Sequence, residues 1–149
     1  MVALLQAVHH RPALQRHLSH VCRHRRVGRH KLRSEAVEAN PKNDTAWYNL
    51  CNALITRWRG DRQGNSLPEA LTAGETAVRL GGNRYNYACA LAVVGRVSEA
   101  LDELAESLKR GEITKAEVAA DVDWEHLRDD PRFIKLIGHP PDEAAPVDR

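Results

Sequence analysis

The stretch Tyr85–Gly111, YNYACALAVVGRVSEALDELAESLKRG, constrains this chain more than any other. Ala88, Leu91 and Ala92 recur at helical spacing, Gly95 interrupts them, and Ala100, Leu101, Leu104 and Leu108 start a second apolar stripe. Apolar residues three and four apart share one face of an α-helix. A glycine between two such runs supplies the left-handed backbone that ends the first helix. The stretch therefore predicts a helix-turn-helix. One hairpin cannot hide both stripes within itself, so this one requires neighbours stacked against it.

A chain of 149 residues suffices for one domain with a real core and is short for two. The formal net charge of +2 hides an asymmetry. Residues 1–34 hold eight Arg or Lys, six of the eight histidines and no acidic residue, which leaves fourteen basic against twenty acidic residues beyond them. That first segment has no aromatic residue and little to bury, so it is expected to be weakly structured. A start codon placed upstream of the true one would produce the same mismatch with the body. Cys22, Cys51 and Cys89 form no CxxC pair and leave an odd thiol, which suits a reducing, cytoplasmic setting. No apolar run approaches the roughly 18 residues a membrane span needs, and the first residues lack the pattern of a secretory signal.

The rest of the chain punctuates itself into helices. Asn40-Pro41 closes a helix that ends near Ala39, because proline disfavours helix at the residue before it. Asn43 and Asp44 offer caps for a helix over about Thr45–Trp58, where Trp47, Leu50, Leu54 and Trp58 share a face. Arg59–Ser66, RGDRQGNS, is expected to be a loop, and its Arg-Gly-Asp triplet a chance match to the integrin tripeptide. Ser66 and Glu69 form a capping-box pattern for a helix whose Ala70, Ala73, Gly74 and Ala77 permit close approach, ended by Gly81-Gly82. Asn83 caps Arg84–Val94; Val97–Arg110 follows Gly95 and stops at Gly111. Thr114 and Glu117 form a second capping box, Asp123 can cap Trp124–Arg128, and Asp130-Pro131 opens Pro131–Ile137. Residues 139–149 are a polar, Pro-containing tail. Nothing alternates with period two long enough for a strand, so the fold class is all-α.

The hairpin occurs twice. Ala46–Leu54 overlays Arg84–Ala92 with Tyr48-Asn49 on Tyr85-Asn86, and Pro68–Val78 overlays Ser98–Leu108 through a shared Glu-Ala-Leu. Two helical hairpins with a period of thirty-odd residues are the mark of a solenoid. With Trp47, Leu50, Cys51 and Leu54, then Ala70 and Ala77, then Ala88, Gly95, Ala100 and Leu104, the chain resembles the tetratricopeptide repeat family. It departs from that pattern where Arg84 and Tyr87 replace the usual Trp and Leu, and Gly82 the usual Pro. Asp123–Ile137, DWEHLRDDPRFIKLI, resembles the segment that closes such arrays, and the resemblance covers residues 35–138. It implies a short right-handed stack of antiparallel hairpins whose first helices line a concave groove for a peptide or partner helix. The groove positions it implies are Tyr48, Asn52, Ile55 and Thr56, then Tyr85, Cys89, Ala92 and Val93. The competing expectation is that the chain's own N-terminal helix or a second copy fills this groove. A clamp for chaperone-tail carboxylates is disfavoured: Asn52 and Asn86 match it, but Tyr48 stands where Lys is required.

Other chemistry is thinly supported. His17, His20 and His24 fall at i, i+3 and i+7, and His20 with His24 is an i, i+4 pair able to hold Zn2+ or Ni2+; no carboxylate is nearby to orient the imidazoles. Arg23–Arg33 can attract phosphates but carries no aromatic for base stacking, which argues against single-strand specificity and leaves a nucleic-acid partner disfavoured. Asp121, Asp123 and Glu125, two apart with His126 following, invite a metal loop, yet the glycine and remaining ligands of a calcium loop are missing and capping explains Asp123. Phosphate-loop, nucleophile-elbow and zinc-protease motifs are missing too. The sequence thus predicts a non-catalytic adaptor with a protein or peptide partner, no cofactor and no metal. The rival expectations are a terminal repeat fragment of a larger regulatory or signalling enzyme, and a basic-tailed adaptor for nucleic acid or metal.

Overall fold

The computed structural model describes residue 31 and residues 33–62 and 65–138. The basic segment before residue 31, with His17, His20, Cys22 and His24, and the tail after residue 138 lie outside the described residues. Helical residues 33–39 form α1, followed by α2 (Asp44–Asp61), α3 (Ser66–Arg79), α4 (Tyr85–Val94), α5 (Val97–Lys109) and α6 (Lys115–Ala120). A 3-10 segment (Val122–Leu127) and α7 (Pro131–Ile137) are the last described elements, and no strand occurs among the described residues. The protein is all-α.

Short connections dictate which helices meet. Gly95 and Arg96 alone join α4 to α5, so the two run antiparallel and pack along each other. Gly95 adopts φ +90, and its amide donates to the Ala92 carbonyl at 3.0 Å, closing α4 as its position suggested. The α2/α3 pair forms the equivalent hairpin, α3 packs on α4, and α2 lies against α4. The 3-10 segment returns to α4, while α7 packs on α6 and α5.

The core follows the stripes. Leu50, Leu54, Leu91, Leu101 and Leu104 are buried as expected, and Trp124, Leu127 and Phe133 are buried with them. Trp47, Leu71, Leu108 and Ile137 pack partly buried against this cluster. Alanines fill the helix contacts: Ala70, Ala73, Ala77, Ala88, Ala90, Ala92 and Ala100 are all buried. Small residues let the α3 and α4 backbones come close. A Cβ placed on Gly74 would sit 2.9 Å from Tyr87 Cβ and 3.0 Å from Tyr87 Cα.

Three local expectations change. Helix α2 runs past Trp58 to Asp61, so Arg59 is helical rather than part of a loop. Ser66 is the first residue of α3 and is buried, and its cap position, Asn65, makes no side-chain cap bond; the expected Ser66–Glu69 box does not form. Asp121, not Asp123, caps the 3-10 segment, its Oδ1 accepting from the Asp123 amide at 2.9 Å. Other caps stand where expected: Asn43 accepts from Ala46 N, Thr114 and Glu117 form a reciprocal box, and Asp130 accepts from Arg132 N. The Asn83 side chain accepts from Tyr85 N at 2.8 Å.

Candidate functional site

Tyr85, Cys89 and Ala92 stand at i, i+4 and i+7 of α4 and so share one face of it. On α2, Tyr48, Asn52, Ile55 and Arg59 follow the same spacing. The two helices are joined by polar contacts near Cys51. The Asn86 side-chain amide donates to the Tyr48 carbonyl at 3.0 Å, and the Cys51 thiol donates to the Asn86 carbonyl at 3.3 Å. Asn86 is buried, so its amide holds α4 to α2 and is not free for a peptide carboxylate.

The α4 face is covered by the chain's own C-terminal return. The Tyr85 hydroxyl donates to Asp121 Oδ2 at 2.8 Å and accepts from the Trp124 indole N–H at 3.2 Å. The Trp124 ring is tilted 34° to that of Tyr85 at 6.5 Å and stacks on Phe133 at 5.7 Å. His126 Nε2 lies 2.9 Å from the Ala92 carbonyl oxygen, about two turns beyond Tyr85 along α4. Trp124 is fully buried, and burying such a ring contributes several kcal/mol. This segment is therefore part of the core and not a loosely laid strap.

Four of the eight expected groove residues are interior. Ile55, Tyr85, Cys89 and Ala92 are buried and offer a partner no surface. The repeat pattern implies a first-helix face that is open, or filled from the N-terminus or by another copy. The filling element is instead Asp121–Leu127, a stretch whose sequence places it at the end of the stack. Asn52 and Thr56 are exposed, Tyr48 and Val93 are half-buried, and Val122 at the edge of the covering segment is 54% exposed.

A polar cluster lies beneath the cover. Cys89 Sγ is 3.9 Å from Asp121 Oδ2, and donor atoms of Cys89, Asp121 and Asp123 all fall within 4.8 Å of one another. Asp123 is only 5% exposed and faces Arg59, whose Nε lies 3.3 Å from Asp123 Oδ1. The pair is poorly aligned, and neither of those two buried atoms makes a hydrogen bond. Burial pushes the Asp123 carboxyl up to about 6, with Asp121 adding to the rise and Arg59 and His126 opposing it. Desolvation thus outweighs the guanidinium, as it does for many buried pairs. Burial, reinforced by Asp121 and Asp123, raises the Cys89 thiol well above its ordinary range, and burial takes Cys51 up to about 12. Tyr85 is raised too, by burial first and then by its acidic neighbours. Neither cysteine is an activated nucleophile, since activation requires a lowered thiol pKa.

In sequence, Asp123 reads as a cap and Arg59 as a loop residue. Their spacing in the chain carries no signal of a pairing; the continuation of α2 through Asp61 is what brings them together. Glu112 likewise gives no sign of its role in the sequence. Its Oε2 accepts from the Arg84 amide and from the Ser107 hydroxyl, both at 2.9 Å, so it ties the start of α4 to the end of α5. Among the described residues no helix is long and apolar enough to cross a membrane. No family model, curated protein or solved structure matches the chain.

Proposed function

We propose that this protein is a non-catalytic docking module built from two tetratricopeptide-like hairpins, α2/α3 and α4/α5, stacked as a short right-handed solenoid. The pairing of α2 with α4 and of α3 with α4 supports that reading, since a repeat stack brings successive first helices side by side. The partner surface we assign is the part of the first-helix face that Asp121–Leu127 leaves uncovered: Asn52 and Thr56, with the accessible parts of Tyr48 and Val93.

The observation that carries the proposal is the exposure of Asn52 and Thr56 on the stripe between Tyr48 and Arg59 of α2. An exposed amide and hydroxyl beside a half-buried aromatic can hydrogen-bond an extended main chain and pack one apolar side chain. The four assigned residues are uncharged, and partly exposed Arg59, already facing Asp123, is the charge at their border, which favours a neutral peptide segment or partner helix over a strongly charged one.

The test is site-specific photo-crosslinking in cells, with the reactive residue at Asn52 or at exposed Glu69 on α3. The proposal expects discrete partner adducts from position 52 and none from position 69. Adducts from neither position, or the same adducts from both, would remove the assigned surface.

A further inference from the structure

We propose that Cys89, Asp121 and Asp123 form a binding site for a borderline transition-metal cation of the Zn2+ class. The three side chains come from two remote parts of the chain, α4 and the turn into the 3-10 segment, and their donor atoms converge within 4.8 Å. Zinc takes thiolate sulfur at about 2.3 Å and carboxylate oxygen at about 2.0–2.2 Å, which sets tetrahedral donors roughly 3.5 Å apart. Closing the present cluster onto an ion therefore needs side-chain adjustments of about an ångström.

A second observation points to a ligand. Asp123 is nineteen-twentieths buried, and its Oδ1 receives no hydrogen bond. Its ion-pair partner among the described residues, Arg59, stands at 3.3 Å out of alignment, and Arg59 Nε is itself without a hydrogen bond. Two carboxylates and a thiol thus share one misaligned guanidinium. A dication bound directly to Asp123 would neutralise the excess charge that Arg59 leaves. The Arg59 side chain is 34% exposed and can turn outward as the ion enters.

The donor set selects the metal class. A thiolate disfavours Ca2+ and Mg2+, while mixed sulfur and oxygen ligands suit Zn2+ and its spectroscopic substitute Co2+. Binding releases the Cys89 thiol proton to solvent, since the thiolate is the ligand. Three protein donors leave one tetrahedral position for water. Tyr85 would serve as a positioning residue, because its hydroxyl donates to Asp121 Oδ2 and is itself held by the Trp124 indole.

The full-length chain carrying Cys22→Ser, which removes the thiol set among the N-terminal histidines, is titrated with Co2+. The expected result is a near-ultraviolet thiolate-to-cobalt charge-transfer band that saturates at one equivalent and is abolished by Zn2+. The band should survive an added Cys51→Ser and vanish with an added Cys89→Ser; histidine binding alone gives no such band. Asp123→Asn should weaken the apparent affinity about tenfold or more, and Tyr85→Phe should weaken it about tenfold. Arg59→Leu should strengthen it. Far-ultraviolet circular dichroism checks that each variant keeps its helices. No band in the Cys22→Ser chain, a band undiminished by Cys89→Ser, or an affinity unmoved by Asp123→Asn would each overturn the site.

Discussion

The Tyr85 hydroxyl donates to Asp121 Oδ2 at 2.8 Å across thirty-six positions of sequence. Through this bond the start of α4 is tied to the C-terminal return, which lies against Tyr85, Cys89 and Ala92 of that helix. Tyr85→Phe keeps the ring but deprives Asp121 of a donor and the Trp124 indole of its acceptor. Leaving buried polar partners unmet costs about 1–3 kcal/mol. Urea unfolding should show a loss in that range; a loss below about 0.5 kcal/mol, the level of an indifferent surface change, would mean the bond does not hold the return in place.

Gly74→Ala sets two effects against each other. Replacing glycine within a helix gains about 1 kcal/mol of propensity. The new Cβ, however, would lie 3.0 Å from the Tyr87 backbone, which no side-chain rotation can relieve. Overpacking of this kind costs about 1–3 kcal/mol, so net destabilisation is expected in thermal unfolding. A raised Tm would contradict the close α3–α4 approach.

Leu104 is fully buried, whereas Leu108, one turn further along α5, is half-buried. Leu104→Ala should cost about 2–5 kcal/mol, and Leu108→Ala clearly less. Equal losses in denaturant titration would show that the α5 stripe is rotated from the position described.

Asp123 gives an inverted response to pH. Its carboxyl is raised to about 6 in the folded protein, against 3.8 as a free side chain, so the folded state holds the proton more tightly. The associated stability is complete below pH ~3.8, is lost as pH rises through ~6 and changes little above that. Each tenfold gain in proton affinity is worth about 1.4 kcal/mol, which makes the whole effect on the order of 3 kcal/mol. Glu99, Glu106, Glu117 and Asp130 are lowered by their partners and act in the opposite sense. The difference between wild type and Asp123→Asn therefore isolates the group. In chelator-treated protein, unfolding free energies from pH 4 to pH 8 should show the variant gaining relative to wild type as pH rises. A constant difference would contradict the burial of Asp123.

Much of the helical framework is legible in the sequence, because it rests on local rules. Gly95, Gly111, Asn43, Thr114 with Glu117, and Asp130-Pro131 each act within one turn of themselves, and all mark real boundaries. Ser66 misleads for an equally local reason: the helix begins one residue earlier than the box requires, so Ser66 is its first, buried residue and the cap position falls to Asn65. The site is less legible. Nothing near Arg59 indicates that α2 continues three residues past Trp58, and nothing near Asp121 says it will lie under Tyr85. Those pairings are tertiary, set by where a long return crosses α4. Periodicity places Tyr85 and Cys89 on one face of their helix, but it cannot report what covers that face.

The most direct measurement compares thiol labelling at two positions of the first-helix face under native conditions with chelator present. One chain carries cysteine only at position 89 (Cys22→Ser, Cys51→Ser); the other carries it only at position 52 (the same changes with Cys89→Ser and Asn52→Cys). A half-covered face predicts that position 52 reacts with maleimide at the rate of a free thiol, while Cys89 reacts only as fast as the protein opens. Rapid native labelling of Cys89, or protection at position 52, would contradict it.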